Sequence, residues 1–578
     1  MKLPPALRTA FLCALFVVLT VLPAAAQDVA PPTRTVAITG ATVVPSPGRV
    51  LEGATVVIRD GLITAVGSGV TIPYDARVIE ADSMFVYAGF IDALSYVGQE
   101  PPRNNGPGGG GGGQDQVADR DNPPFDRAGL EPYRSVRDFL DPAHASVGNM
   151  RSAGFTAAHA VPRGRMLPGS GAVVLLRGSS ADDMVLLADV SFFAQFQGGR
   201  GVYPGTPMAM TAKMRQLYRE AERRHTLAAH YADDPAGMSP PPVDPVHTAF
   251  FDLIEGNLPV FFHVTDPLEA HRALTLREDL GFRMVLTGLP RGHELASKLA
   301  DSGVPLVVTT DFPRKPGWMA SVKRDSLLQV MENYDPDVRT ATWRDTEAEA
   351  RNLEARQALA REDYVKNAAT LAQSGARFAF THIDTTPGDI HANIREMLAA
   401  GLDTTAALAA LTTRAADVIG MTRAMGSLEV GKLGNAVITS GPLFAEGSEI
   451  KHVLIQGQVF DIESAPPSGR GRGGEAAASI SGTWNTIAET PDGTVRGTLE
   501  ISGSPGSYSG SLTYDGVPSA IAIDTITVEG DQVSFSFQSP DGLIALSLTM
   551  DGDSMQGTAT VNGADAIPVT MTRSNPQQ

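Results

Sequence analysis

The stretch Tyr87-Ala-Gly-Phe-Ile-Asp92-Ala-Leu94-Ser-Tyr96 decides the fold of this chain, because it stands where a β-rich segment gives way to something larger. Upstream of it, Val36 to Val44, Ala54 to Arg59 and Leu62 to Gly67 are β-branched runs parted by Pro/Gly signals and an Asp60-Gly61 turn, which predict antiparallel strands. The run Val78-Ile-Glu-Ala81 follows, and Gly89 releases the chain into a new domain. Far downstream, Ala436 to Ser440 and His452 to Asp461 read as further strands, the second turning at Gln456-Gly457. Two or three strands bury little by themselves, so the economical arrangement is one small β-sandwich from both flanks, residues 27–88 and 431–463.

Between the flanks, over 89–430, short apolar runs alternate with helical stretches, the pattern of parallel strands joined by crossover helices. The runs are Gly154 to Val161, Ala172 to Arg177, Pro259 to Val264, Arg283 to Thr287, Val304 to Thr309 and Ala376 to Thr381. Helices are expected at Met208 to His230, Pro267 to Asp279, His293 to Ser302 and Asp345 to Ser374. The expected fold class is α/β, a TIM-like (β/α)8 barrel whose C-terminal strand ends build the site. Strands three and four are not legible. Pro101 to Pro124 carries six consecutive glycines, Gly108 to Gly113, and predicts a flexible loop over the barrel mouth, either a lid or an inert insertion.

A second stretch fixes the kinship: Ala407-Leu-Ala-Ala-Leu411-Thr-Thr-Arg-Ala-Ala416, then Gly426-Ser-Leu-Glu-Val-Gly431-Lys432-Leu-Gly-Asn435-Ala-Val-Ile438. Together with the opening stretch it resembles the amidohydrolase superfamily, in particular its imidazolonepropionase-like branch. There a Pro-Gly-Phe-Ile-Asp-x-His-x-His run supplies two metal-binding histidines from barrel strand one, and a Gly-Ser-Ile-x-x-Gly-Lys-x-Ala-Asp run closes the barrel. In this chain Leu94 and Tyr96 occupy the two histidine positions, and Gly434 and Asn435 depart from the closing run. The resemblance spans residues 35 to 462.

It implies a hydrolase using one or two divalent ions, zinc among the candidates, held by neutral imidazoles and carboxylates to polarise a scissile carbonyl and acidify a bound water. Leu94 has no lone pair, and a phenol with an ordinary pKa near ~10 is a poor zinc ligand at Tyr96. None of the chain's lysines lies in an apolar strand run, so a bridging carboxylated lysine on strand four has no candidate. His263, closing Leu258-Pro-Val-Phe-Phe-His263, matches the strand-five ligand and is the retained metal candidate; a hydrogen-bonded core histidine explains it equally. Strand six ends Met284-Val-Leu-Thr287-Gly288, with Thr or Gly where the next histidine belongs, and His293 beyond it reads as a helix-start surface residue. Asp311 ends strand seven as a mouth carboxylate or a turn cap.

Strand eight reads Phe378-Ala-Phe-Thr-His382-Ile-Asp384, aligning the superfamily's catalytic Asp with Asp384 or Ile383. Asp384 paired with His263 or His382 would make a residual acid/base couple, supported by Asp311, unless it merely caps the turn before Pro387. Asp92 shapes the strand end, and His159 reads as a core histidine. Arg163 and Arg165 sit in the loop after strand two, where they solvate the mouth or bind a carboxylate.

Lys2 and Arg8, the apolar run Ala10 to Leu22 and Ala24-Ala25-Ala26 have the three parts of a secretory signal peptide, residues 1–26, cleaved after Ala26. The expectation is therefore a periplasmic or secreted protein, with no stretch of the ~20 apolar residues a membrane span needs. Cys13 is the single cysteine, so beyond the signal there is no thiol nucleophile and no disulfide. The formal net charge of −18 repels phosphate backbones and makes nucleic acid a poor partner.

After the linker 464–478, turn signals recur through residues 479–578 at Asp515-Gly516, Gly530-Asp531, Asp551-Gly552 and Asn562-Gly563. They predict an antiparallel β domain without a chemical constellation, a docking or stabilising module with contact to the cell envelope as its candidate partner. Two functional expectations stand side by side: an exported hydrolase of a non-peptide C–N bond in a cyclic amide or similar small molecule, and a catalytically inactive barrel kept as a binding or scaffold protein.

Overall fold

The computed structural model describes residues 35–101, 119–199, 201–313, 341–462 and 480, and the strands between 482 and 573 without most of their turns. The expected signal peptide, most of the glycine-rich loop and the expected linker 464–478 lie outside these residues. The chain forms two compact units, Met1–Ala465 and Pro466–Gln578.

In the first unit both flanks enter one eight-stranded sheet. Strands β1 (Thr35–Ser46), β2 (Arg49–Arg59), β3 (Leu62–Gly67), β4 (Arg77–Glu80) and β5 (Phe85–Ala88) come from the N-terminal side. They are joined by β14 (Ala436–Thr439), β15 (Ile450–Ile455) and β16 (Gln458–Asp461), because β14 pairs antiparallel with β5. Alternation along the strands serves two cores. Val86, Ala88, Ala436, Ile438 and Leu454 bury into a small core of the sheet itself, while Tyr87, Val437, Val453 and Ile455 face the barrel.

Eight more strands form the second sheet in the order β13-β12-β11-β10-β9-β8-β7-β6. They are β6 (Phe90–Ser95), β7 (Phe155–Ala160), β8 (Gly169–Leu175), β9 (Val185–Gln195), β10 (Val260–Val264), β11 (Met284–Gly288), β12 (Leu306–Thr309) and β13 (Phe378–Thr381). β6, β7, β11, β12 and β13 are buried at every position or nearly so, as strands covered on both faces are. Helices Pro207–Asp233, Pro267–Leu280, Ala296–Ser302 and Ala341–Gln373 supply crossovers.

One strand breaks the parallel pattern: β8 runs antiparallel to both β7 and β9. A parallel return needs a crossover of a dozen or more residues, and only 161–168 separate β7 from β8. The expected strand at Ala172 to Arg177 is therefore a hairpin arm, and β9, with Asp189 at φ 51° where its register with β8 shifts, restores the parallel order with β10. The last strand meets the first through side chains: Thr381 Oγ1 donates to Leu94 O at 2.6 Å, and Asp92 Oδ1 accepts the His382 N–H at 3.2 Å.

The second unit is a closed barrel of eight antiparallel strands, β17 (Gly482–Thr490), β18 (Gly493–Ser502), β19 (Tyr508–Tyr514), β20 (Ile521–Glu529), β21 (Gln532–Ser539), β22 (Gly542–Asp551), β23 (Ser554–Val561) and β24 (Ile567–Arg573). Each pairs with the next and β24 returns to β17, so no edge is left open.

Candidate active site

His263 sits at the C-terminal end of β10, beside Thr287 of β11 in register, with its Nδ1 3.4 Å from the Thr287 hydroxyl. The ring lies over Gly288. A Cβ there would fall 3.0 Å from His263 Cε1 and 3.1 Å from Nδ1 and would run into the Val264 carbonyl oxygen, at a φ of +94° that side chains avoid. Room for one imidazole is thus obtained by removing the side chain at the end of strand six, the position where the resemblance asks for another.

On the first barrel strand Leu94 is completely buried in the core and Tyr96 half-buried at the mouth. The Arg163 guanidinium stacks 4.3 Å from the centre of the Tyr96 ring. Two buried glutamines hold the Arg163 loop: Gln99 Oε1 accepts the Arg163 backbone N–H at 3.1 Å, and Gln195 Nε2 donates to the Gly164 and Arg165 carbonyls at 2.9 and 2.8 Å. Neither glutamine stood out in the sequence, since nothing in local pattern marks a buried amide that ties a loop.

Asp384 joins this group. Burial pushes the His263 imidazole down from its usual value while the Asp384 carboxylate pulls it back up. Burial, then the Asp384 charge, pushes the Tyr96 phenol up to about 12 against the opposing pull of Arg163. Burial lowers Arg163, which Tyr96 and Asp384 counter, and its buried Nε has no partner. His263, Asp384, Tyr96 and Arg163 therefore share one electrostatic environment at the mouth, made of a neutral base, a carboxylate, a protonated phenol and a cation with hydrogen-bonding capacity to spare.

His382 is elsewhere. It is buried with Nδ1 2.7 Å from the Thr310 hydroxyl and its ring edge-on to Phe155 at 4.7 Å; burial, then the His391 charge, lowers it to about 3. Its Nε2 and Asp92 Oδ2 are buried without hydrogen-bond partners. Asp92 is a seam residue: it accepts from the backbone N–H of Leu94 and His382, and burial raises it to about 7. Asp311 is exposed, its backbone N–H held by Thr309 Oγ1 at 3.0 Å. His159 is a satisfied core histidine, bonded to Ser191 Oγ at 2.7 Å and Ala93 O at 3.2 Å. The backbone N–H of His293 is capped by the buried Asn367 side chain.

These donors do not fit a metal centre of the kind the resemblance implies. Among the described residues no three His, Cys, Asp or Glu side chains converge as ligands, Leu94 fills its place with hydrocarbon, and Tyr96 favours the neutral phenol. A cavity of about 700 Å3 lies at the opposite end of the barrel, against the starts of β10, β11 and β12, away from His263.

Set beside solved structures, the chain is similar to the amidohydrolase from Thermotoga maritima MSB8, at 19% identity over 74% of this chain and 100% of that one, with a TM-score of 0.56. A prolidase complexed with N-methylphosphonate-L-proline (16% identity, 74% and 99% covered, TM-score 0.40) and molinate hydrolase (17%, 77% and 99%, TM-score 0.39) also match, too loosely to carry an argument. No protein-family model and no curated protein sequence matches. Over about three quarters of its length the chain thus shares the fold of that amidohydrolase, and at this identity the likeness extends to the fold alone.

Proposed function

We propose that this protein is an exported hydrolase that attacks a C–N bond other than a peptide bond, in a cyclic amide or similar small molecule, at the C-terminal mouth of its barrel. The observation that supports the reading is the placing of His263 at the strand end over Gly288, where the Asp384 charge acts on its imidazole without a direct ion pair between them. A half-buried imidazole held below its usual value is a neutral base near pH 7, and a carboxylate acting on it through space, as Asp384 does, favours the imidazolium formed when that base takes a proton from water. Arg163, a partly exposed cation stacked on Tyr96, is the group we assign to hold a carbonyl oxygen or a carboxylate of the substrate. The imidazolonepropionase-like spacing of the Tyr87–Tyr96 stretch favours a small cyclic substrate, and the leader-like first 26 residues favour the periplasm or the exterior.

A second reading, a catalytically silent barrel retained as a binding or scaffold protein of the cell envelope, is favoured by Leu94 and Gly288, which stand where imidazoles belong in an active relative. One experiment separates the two. Protein purified from its native compartment is assayed for metal content and for hydrolysis of a panel of lactams, imides and amides, alongside His263→Ala and Asp384→Asn. Turnover that falls at least ~100-fold in both variants supports the hydrolase, in line with the ~10²–10⁴-fold worth of a positioned acid/base. No bound metal and no turnover by the parent protein across the panel, with or without added zinc, favours the silent barrel.

A further inference from the structure

We infer that the C-terminal barrel is a binding site for one small, uncharged, apolar molecule of about single-ring size carrying a single hydrogen-bonding group. One end of this barrel is solid and the other is hollow. Trp484, Leu499, Ile501, Val533, Leu548 and Met555 fill the solid end, each at most 4% exposed. Trp484 is pinned there, its Nε1 donating to Ile480 O at 2.8 Å and the Arg573 guanidinium lying 4.6 Å above its ring.

Among the described residues the filling stops towards the other end. A cavity of about 190 Å3 opens among Leu512, Tyr514, Phe537, Ile544, Ile567 and Met571, on strands that contribute alternate inward positions. An eight-stranded barrel is at the width where the interior is either filled by side chains or left able to hold one small ligand. Here the side chains that would complete the filling are small: Ala488, Gly497 and Ala559. Gly497 is required by packing, since a Cβ would meet the Thr513 carbonyl and fall 2.9 Å from Tyr514 Cβ.

The cavity's size and lining set the ligand class. An apolar cavity of ~150 Å3 stays dry and takes up benzene, so this one admits a ring with a small substituent. The lining is almost wholly apolar, and its one charged residue, Arg496, is exposed to solvent, so an ion entering the interior would be desolvated without a buried partner. Within the wall, however, Thr486 Oγ1 is buried and has no hydrogen-bond partner. A buried unmet hydroxyl in an otherwise apolar cavity is a docking point for one donor or acceptor on the guest. The site lies wholly in the second unit and is independent of the chemistry of the first.

The test uses the full-length protein with methyl labels at Ile544, Ile567, Leu512 and Met571, titrated with toluene, phenol and benzoate. Saturable shifts of these methyls are expected with toluene and phenol and none with benzoate. Phenol binds about two- to tenfold tighter than toluene, the ratio one hydrogen bond supplies. Thr486→Val, which keeps the shape of the side chain, erases that preference without abolishing toluene binding, and Ala559→Phe blocks both. If Ala559→Phe fails to fold, the Thr486→Val comparison decides alone. Absence of saturable shifts with both neutral probes, equal binding of benzoate, or an unchanged phenol preference in Thr486→Val overturns the assignment.

Discussion

Asp92 makes the seam between the first and last barrel strands dependent on pH, with a sign opposite to that of most carboxylates. Its Oδ1 accepts backbone N–H groups of Leu94 and His382, and burial outweighs the Ser95 side chain and these two bonds to raise its pKa from 3.8 to about 7. In the unfolded chain Asp92 ionises near pH ~4. Between roughly pH 4 and 7 the folded state therefore holds a proton that the unfolded state has released, and stability falls as pH rises through that window. At ~1.4 kcal/mol per pH unit, a displacement of about three units costs on the order of 4 kcal/mol by pH 7 to 8, and full burial makes this an upper figure. Asp92→Asn keeps the acceptor at Oδ1 and cannot ionise. The assay is guanidinium unfolding of wild type and Asp92→Asn at pH 4, 5.5, 7 and 8, so that every other titrating group cancels in the difference. The variant should gain stability relative to wild type steadily from pH 4 to 7, by ~2–4 kcal/mol in total, and no further above it. Parallel curves for the two proteins would refute the reasoning, because they would mean that Asp92 is solvated or paired well enough to ionise in the folded state.

Two other consequences can be measured. Gly288→Ala places a methyl at φ +94° against the His263 ring and the Val264 carbonyl, so ~1–3 kcal/mol of backbone strain and a comparable steric cost should lower the unfolding midpoint of the first unit and shift the His263 ring resonances; a variant as stable as wild type with an unmoved His263 would contradict the packing. Asp384→Asn removes the carboxylate that holds the His263 imidazole up, so histidine NMR should show the His263 pKa falling further below its ordinary value, while His159 and His382 stay where they are.

The amino-acid sequence by itself determined the covalent and periodic facts of this protein. Two sets of β-branched runs flanking an alternating helix and strand pattern imply a sheet from both ends around a barrel, because each run is too short to bury itself. The substitutions at Leu94 and Tyr96 are visible because they fall at fixed offsets in a motif, and His263 because it closes an apolar run. Other features depended on distance in space. Whether Ala172 to Arg177 would be parallel or antiparallel was decided by the shortness of the 161–168 connection together with pairing on both sides. The grouping of His263 with Asp384, Tyr96 and Arg163, and the separation of His382 from it, follows from the register of strands far apart in the chain; His382 and Asp384 are two residues apart, yet one is sealed behind Phe155 and the other exposed. Gly288 has meaning only because the His263 ring crosses it from the neighbouring strand, and the hollow end of the C-terminal barrel exists only because small inward residues of several strands meet at one level. Local sequence sets what each segment prefers, whereas burial, charge coupling and vacant volume belong to residues brought together by closure of the sheets.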